Sequence, residues 1–251
     1  MIEINKIYCE DCMQTMSRMP DDFVDIIFTS PPYNKAGYEG FIRKYYKHDI
    51  IGKRLRNISY GNDSLNDFMP ENKYQEWQIK VLNECWRVLK KDGMMFYNHK
   101  VRIAKHKASH PMEWILKSSM IFRQQIIWQR NGSPSVSRHR FLPTTELVFW
   151  LTKEAKQPLF YRLNNDSELI RLNHSLDKEH PCSHPVNLTV KILRHCSGKI
   201  VYDPFMGSGT TAVASIKLNK DWIGSETVPE YCDLTEKRTK IEQSILKLAL
   251  N

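Results

Sequence analysis

The chain has 251 residues, enough for one large α/β domain or two small ones with a well-formed core, and its 41% hydrophobic content is ordinary for a soluble protein. No apolar run approaches the roughly 18 residues that span a bilayer, and the opening MIEINKIYCEDC lacks the basic-then-apolar layout of a signal peptide, so a cytoplasmic chain with no membrane partner is expected. Lys plus Arg number 37 against 28 Asp plus Glu, a formal charge of +9 that favours a polyanionic partner, and six scattered cysteines are too sparse for a disulfide scaffold.

Taken in chain order, Asn5–Tyr8 and Val24–Thr29 read as strands, the second running into Ser30-Pro31-Pro32-Tyr33-Asn34. Asn34 to Asn72 reads as a long functional loop, with a basic cluster that includes Arg43, Lys44, Lys53, Arg54 and Arg56. Lys73–Lys90 is an amphipathic helix, because Trp77, Val81, Cys85, Trp86 and Leu89 recur at helical spacing; Lys90-Lys91-Asp92-Gly93 is its stop signal. A strand at Met94–Tyr97 precedes a second basic loop, His99 to Ser109, with Lys100, Arg102, Lys105 and Lys107. Gln125–Trp128 and Glu146–Thr152 are strands with no helix between them, which predicts an antiparallel pair, and Arg138 and Arg140 lie in their connection. Lys153 to His184 is the third loop. A helix at Pro185–Cys196, a strand at Lys199–Asp203, a helix at Thr210–Leu218, a strand at Trp222–Ser225 and a helix at Pro229–Leu248 complete the chain. Strands alternating with helices predict an α/β domain spanning residues 1–251, its sheet mainly parallel and covered on both faces.

Two strand ends carry the chemistry. The segment from Lys199 runs as a strand to Asp203, then through Pro204, Phe205, Met206, Gly207, Ser208 and Gly209 into a helix at Thr210; the glycines allow a sharp turn and close approach of a ligand to the backbone. A second strand ends in Glu226, where a carboxylate is placed to hold a ribose hydroxyl pair. A phosphate-binding loop would need Gly-Lys-Ser/Thr, but Gly209 is followed by Thr210 and Thr211. Gly207, Gly209 and Ala212 satisfy a dinucleotide G-x-G-x-x-A, yet too little chain follows for a second mononucleotide half. A methyl-donor site is the third reading.

At the other end, Pro31 and Pro32 remove two backbone donors and fix two φ angles. Ser30 Oγ and the Pro31 carbonyl are then available as acceptors beside the ring of Tyr33, which is the equipment an extruded base needs: a face for stacking and acceptors for its amino hydrogens.

Ser30-Pro-Pro-Tyr33 followed far downstream by Asp203-Pro-Phe-Met-Gly-Ser-Gly-Thr-Thr211 resembles the DNA amino methyltransferases, and the order, catalytic motif first, resembles their β class. The resemblance covers nearly the whole chain. It implies a Rossmann-like, circularly permuted S-adenosylmethionine-dependent methyltransferase fold, a seven-stranded sheet with an antiparallel hairpin. It implies Ser30, Pro31, Pro32 and Tyr33 as catalytic residues. It implies cofactor contacts from Asp11, Thr29, His184, Pro185, Asp203, Pro204, Phe205, Gly207, Gly209, Thr210 and Glu226. Glu10 stands where the family has glycine before Asp11, the residue set beside the cofactor adenine in the family. Double-stranded DNA is the implied partner, met by Arg43, Lys44, Lys53, Arg54, Arg56, Lys105, Lys107, Arg138 and Arg140; a cognate restriction endonuclease and a homodimer are further candidate partners.

Ser30 and the Pro31 carbonyl would draw the amino nitrogen toward tetrahedral geometry, in line with the donor methyl, with no covalent enzyme–base intermediate. Ser before Pro-Pro-Tyr resembles the cytosine-N4 enzymes more than the adenine-N6 enzymes, and adenine N6 is the alternative target. A non-enzymatic DNA-binding protein is the alternative from another class; it would explain the charge but not the two motifs. Cys182 follows Pro181 without the surroundings of a carbon-5 methyltransferase. Cys9, Cys12, Cys182 and His184 could be written as a zinc set, but Cys12 falls at a helix start in the family pattern and His184 already has a role, so no metal is expected.

Overall fold

The computed structural model describes residues 2–34, 69–104, 107–130, 141–156, 160–161, 166–172 and 184–250. An eight-stranded sheet organises them, in the order β1-β10-β9-β2-β3-β7-β6-β8. These are β1 (Lys6–Tyr8), β2 (Val24–Thr29), β3 (Leu89–His99), β6 (Ile121–Gln129), β7 (Thr145–Thr152), β8 (Leu169–Arg171), β9 (Ile200–Asp203) and β10 (Asp221–Ser225). Strands β1 to β3 on the near side run parallel; β7 is antiparallel to both β3 and β6. A separate hairpin pairs β4 (Arg102–Ala104) with β5 (Lys107–Ser109).

Strand β2 shows why the sheet sits in the middle. Its side chains alternate, Ile26 and Phe28 to one face and Ile27 to the other, and all three are fully buried. One face packs on α1 (Cys12–Ser17), α2 (Glu71–Val88) and α3 (Met112–Ile115) through Met16, Val81, Cys85 and Trp114; the other packs on α4 (Val186–Leu193) through Leu188 and Ile192. A strand buried on both faces reads as a continuous apolar run, as Ile26–Phe28 does. A smaller cluster of Ile7, Met206, Ala212, Ile216 and Trp222 joins β1 and β10 to α5 (Thr210–Lys217) and α6 (Pro229–Leu250).

All seven expected strands form, as does the antiparallel pair. Three expectations need correction. The sheet has eight strands, because Leu169–Arg171, inside the expected loop 153–184, adds β8 parallel to β6. The expected loop 99–109 holds the β4/β5 hairpin. The long helix ends at Val88, and its buried face is Tyr74, Gln78, Val81, Leu82, Cys85 and Val88, which leaves Trp77 and Trp86 only partly buried. Lys90–Gly93 lies where the β2–β3 register jumps, between the Val24–Leu89 and Ile26–Met94 pairs. A Cβ on Gly93 would lie 2.7 Å from Leu89 Cδ1 and 2.9 Å from the Asp25 carbonyl, so this crowded crossing needs glycine. Among the described residues no helix is long and apolar enough to cross a membrane.

Candidate active site

The carboxyl ends of β9, β2 and β3 lie side by side, at the edge where open α/β sheets bind ligands. The end of β2 delivers Thr29 and Ser30, that of β9 delivers Asp203, and that of β3 delivers Asn98 and His99.

Asp203 joins two of these ends. Its Oδ1 accepts from Thr29 Oγ1 at 2.7 Å and from the Phe205 N–H at 3.0 Å, and its Oδ2 accepts from Thr211 Oγ1 at 2.6 Å. Burial pushes the carboxyl up to about 6, with the charge of Glu226 adding, while the two hydroxyls and the amide hold the anion back from a larger rise. Both oxygens are therefore engaged in locking the β2 turn to the glycine turn.

The turn after Asp203 has Gly207 at φ 54° and Gly209 at φ 84°, left-handed conformations that favour glycine. A Cβ on Gly209 would fall 2.8 Å from Thr235 Oγ1. Glu226, at the end of β10, braces the same turn: Oε2 accepts from the Gly207 N–H at 2.9 Å, and Oε1 accepts from Thr227 and Val228 N–H groups, each at 2.9 Å. Burial raises its pKa, and the three backbone donors oppose the rise. A carboxylate has about four acceptor sites; three are used here, so Oε2 has room for one further hydroxyl, not for a pair.

Around the Pro-Pro turn, Ser30 Oγ and Tyr33 Oη lie 2.8 Å apart. Tyr33 donates to Glu146 Oε2 at 3.4 Å, and Glu146 Oε1 is ion-paired with Arg130 at 3.0 Å. Asn98 Nδ2 approaches Ser30 Oγ at 3.5 Å, while Asn98 Oδ1 is buried with no hydrogen-bond partner among the described residues. Tyr33 packs against His99 with ring centroids 4.7 Å apart, and Lys100 Nζ sits 5.1 Å from the Tyr33 centroid. Tyr74 donates to the Pro32 carbonyl at 2.7 Å and lies 2.8 Å from His99 Nε2. Burial, with Arg102 and Lys100 adding, holds the His99 pKa well below the ordinary histidine range, so its ring is neutral at neutral pH. Asn34, at φ 51°, clasps both backbone groups of Met69, at 3.0 Å and 2.9 Å.

The structure thus gathers Thr29, Ser30, Pro31, Pro32, Tyr33, Asp203, Phe205, Gly207, Gly209, Thr210 and Glu226 along one edge of the sheet. Two expected residues have local duties. Asp11 Oδ1 caps α1 by accepting from the Met13 N–H at 2.8 Å. His184 packs its ring on Phe28 at 5.1 Å, beside Pro185 at the N-cap of α4. Arg43, Lys44, Lys53, Arg54, Arg56, Lys105, Arg138 and Arg140 lie outside the described residues, as does Cys182; Lys107 is described and exposed on β5. Arg102 leaves the basic surface altogether: it is 6% exposed and holds Glu71 through two bonds, at 2.7 Å and 2.8 Å. Arg130, Glu146 and Asn98 were not expected at the site. The signal available for them was polarity at the end of an apolar strand.

A family model described as DNA methylase, of the N6/N4 type, matches residues 24–237. The type II methyltransferase M.BglII from Bacillus subtilis is 27% identical over 270 residues, covering 92% of this chain and 68% of the relative. The solved PvuII DNA methyltransferase, described as cytosine-N4-specific, superposes with a TM-score of 0.71 at 17% identity, covering 98% of this chain and 97% of that one. M1.HpyAVI, solved as a complex with SAM, superposes with a TM-score of 0.61 at 22% identity, covering 93% of this chain and 98% of that one.

Proposed function

This chain belongs to the N6/N4 DNA methylase family, and on that premise we propose that it transfers a methyl group from S-adenosylmethionine to the exocyclic N4 of cytosine in double-stranded DNA. The observation that carries the reading is the Thr29–Asp203 bond of 2.7 Å, which sets the Ser-Pro-Pro-Tyr turn beside the glycine turn on neighbouring strands. Those two turns are what an in-line transfer needs at one place: an acceptor set for an amino group and a backbone cradle for a donor.

The residues fit S-adenosylmethionine. Glycines at positive φ give the sharp turn that Glu226 braces, and Glu226 Oε2 has one acceptor site left, suited to a ribose hydroxyl. Asp203 serves by holding the turn, since its oxygens are occupied. When bound, the sulfonium supplies an electrophilic methyl group. The chain's own residues position the base. Ser30 Oγ and the Pro31 carbonyl accept the amino hydrogens and turn the nitrogen lone pair toward the methyl, while Tyr33 stacks on the flipped ring. The Pro32 carbonyl is taken by Tyr74, so the neighbouring Pro31 carbonyl is the one assigned to the base.

Serine at position 30, before Pro-Pro-Tyr, resembles the cytosine-N4 enzymes, and this resemblance carries the preference for cytosine. Adenine N6 is the second reading, because a stacking ring and two acceptors serve either base. Sequencing that reads modified bases in DNA from cells expressing this chain tests the proposal. N4-methylcytosine in a fixed sequence context is expected; N6-methyladenine alone would move the target, and no modified amino group would refute the function.

A further inference from the structure

Glu146 and Arg130 form a buried ion pair, with 10% and 13% of their side chains exposed. Taking two charges out of water is costly, and a pair of apolar residues of like size would often serve the fold as well or better. This pair sits at the ends of β6 and β7 that face the catalytic turn, and the second oxygen of Glu146 points to Tyr33. We propose that Glu146 is the terminal proton acceptor of the methyl-transfer step, reached from the base through Ser30 and Tyr33. The inference rests on the function proposed above.

The direction of the chain follows from what each group can give. The carboxylate of Glu146 only accepts, so Tyr33 donates its single proton to Oε2, at 3.4 Å. Tyr33 Oη, 2.8 Å from Ser30, must then accept from the Ser30 hydroxyl. Ser30 Oγ is left with its lone pairs, one approached by Asn98 Nδ2 at 3.5 Å and the other open to an incoming amino hydrogen. The 3.4 Å link is long for a proton transfer; catalytic hydrogen bonds commonly tighten in the reactive complex.

The step balances. The amino nitrogen forms a bond to the methyl carbon as the carbon–sulfur bond breaks, and its electron pair stays on sulfur as a neutral thioether. The methylated nitrogen, now carrying the positive charge, loses a proton to Ser30 Oγ. The Ser30 proton moves to Tyr33 Oη and the Tyr33 proton to Glu146 Oε2. The products are a neutral methylamino base and a Glu146 carboxylic acid, which returns its proton to water between turnovers. Arg130 faces Glu146 throughout. Lys100 and His99 flank the Tyr33 ring, and His99, kept neutral by burial, carries no proton of the relay.

The test is single-turnover methyl transfer to DNA across pH, with DNA affinity measured alongside. The wild-type rate should fall on the acid side along a one-proton limb and show a solvent deuterium isotope effect. Glu146→Gln keeps an acceptor for Tyr33 but cannot take a proton at neutral pH; it should slow transfer by roughly 10²-fold or more, abolish the acid limb, and leave DNA affinity unchanged. Tyr33→Phe, which leaves the ion pair intact, should lose the same limb. Either variant transferring at the wild-type rate, or slowed but keeping the limb, overturns the relay while leaving the methyltransferase standing. A wild-type chain that transfers no methyl group to DNA overturns the function, and the relay with it.

Discussion

Asp203→Asn isolates the cost of burying a carboxylate at the junction of the two turns. Burial lifts the folded-state pKa from the ordinary 3.8 to about 6. The folded chain therefore keeps this proton to higher pH than the unfolded chain, so stability falls as pH rises from 3.8 through 6 and levels off above. The full loss is about 3 kcal/mol, from about two pKa units at 1.36 kcal/mol each. About half of it falls between about pH 5 and about pH 8. Asparagine does not titrate, but it turns one acceptor into a donor that faces Thr29, Thr211 or the Phe205 N–H. That mismatch subtracts about 1–3 kcal/mol at every pH. The assay is urea unfolding of both proteins at the two pH values, read as the difference of differences so that titrating groups distant from Asp203 cancel. Relative to wild type, the variant should gain roughly 1.4 kcal/mol between about pH 5 and about pH 8. A difference that stays flat with pH would show that Asp203 titrates normally and would refute the buried-junction argument.

Three further substitutions probe the site. Glu226→Ala should weaken S-adenosylmethionine binding by about 1.5–3 kcal/mol, the worth of a hydrogen bond to a charged acceptor, in calorimetry; it should also lower the melting temperature, because the Gly207, Thr227 and Val228 N–H groups lose their acceptor. Tyr33→Ala should lose most methylation while keeping cofactor affinity, and loss of cofactor binding with base binding intact would reverse the assignment of that ring. Gly209→Ala forces a side chain into φ 84° against Thr235, 2.8 Å away, and should cost about 1–3 kcal/mol in denaturant unfolding.

The parts of the fold legible in the sequence were those set by local pattern. Val24–Thr29 matches the observed strand end to end because both its faces are apolar and two prolines stop it. The absence of a helical pattern between Trp128 and Glu146 foretold the antiparallel β6–β7 pair. What escaped was decided by distant partners. Leu169–Arg171 is too short to carry a period and becomes a strand only because β6 offers a free edge. Arg102 looked like one cation of a surface cluster until Glu71, 31 positions away, took both arms of its guanidinium. At the site, the motifs pointed to Ser30, Tyr33, Asp203 and Glu226, but not to what those groups touch. Glu146 reaches Tyr33 across 113 positions, through a strand order that no local signal encodes. The acceptor capacity of Glu226, likewise, depends on three backbone donors that only the folded turn presents.

Transfer of a methyl group to an exocyclic amino nitrogen of DNA is read out by incubating the purified chain with DNA and S-adenosylmethionine bearing a labelled methyl group, then digesting the DNA to nucleosides for mass spectrometry. Label is expected in N4-methylcytosine. Label on carbon 5 of cytosine, or none in any nucleoside, would contradict it.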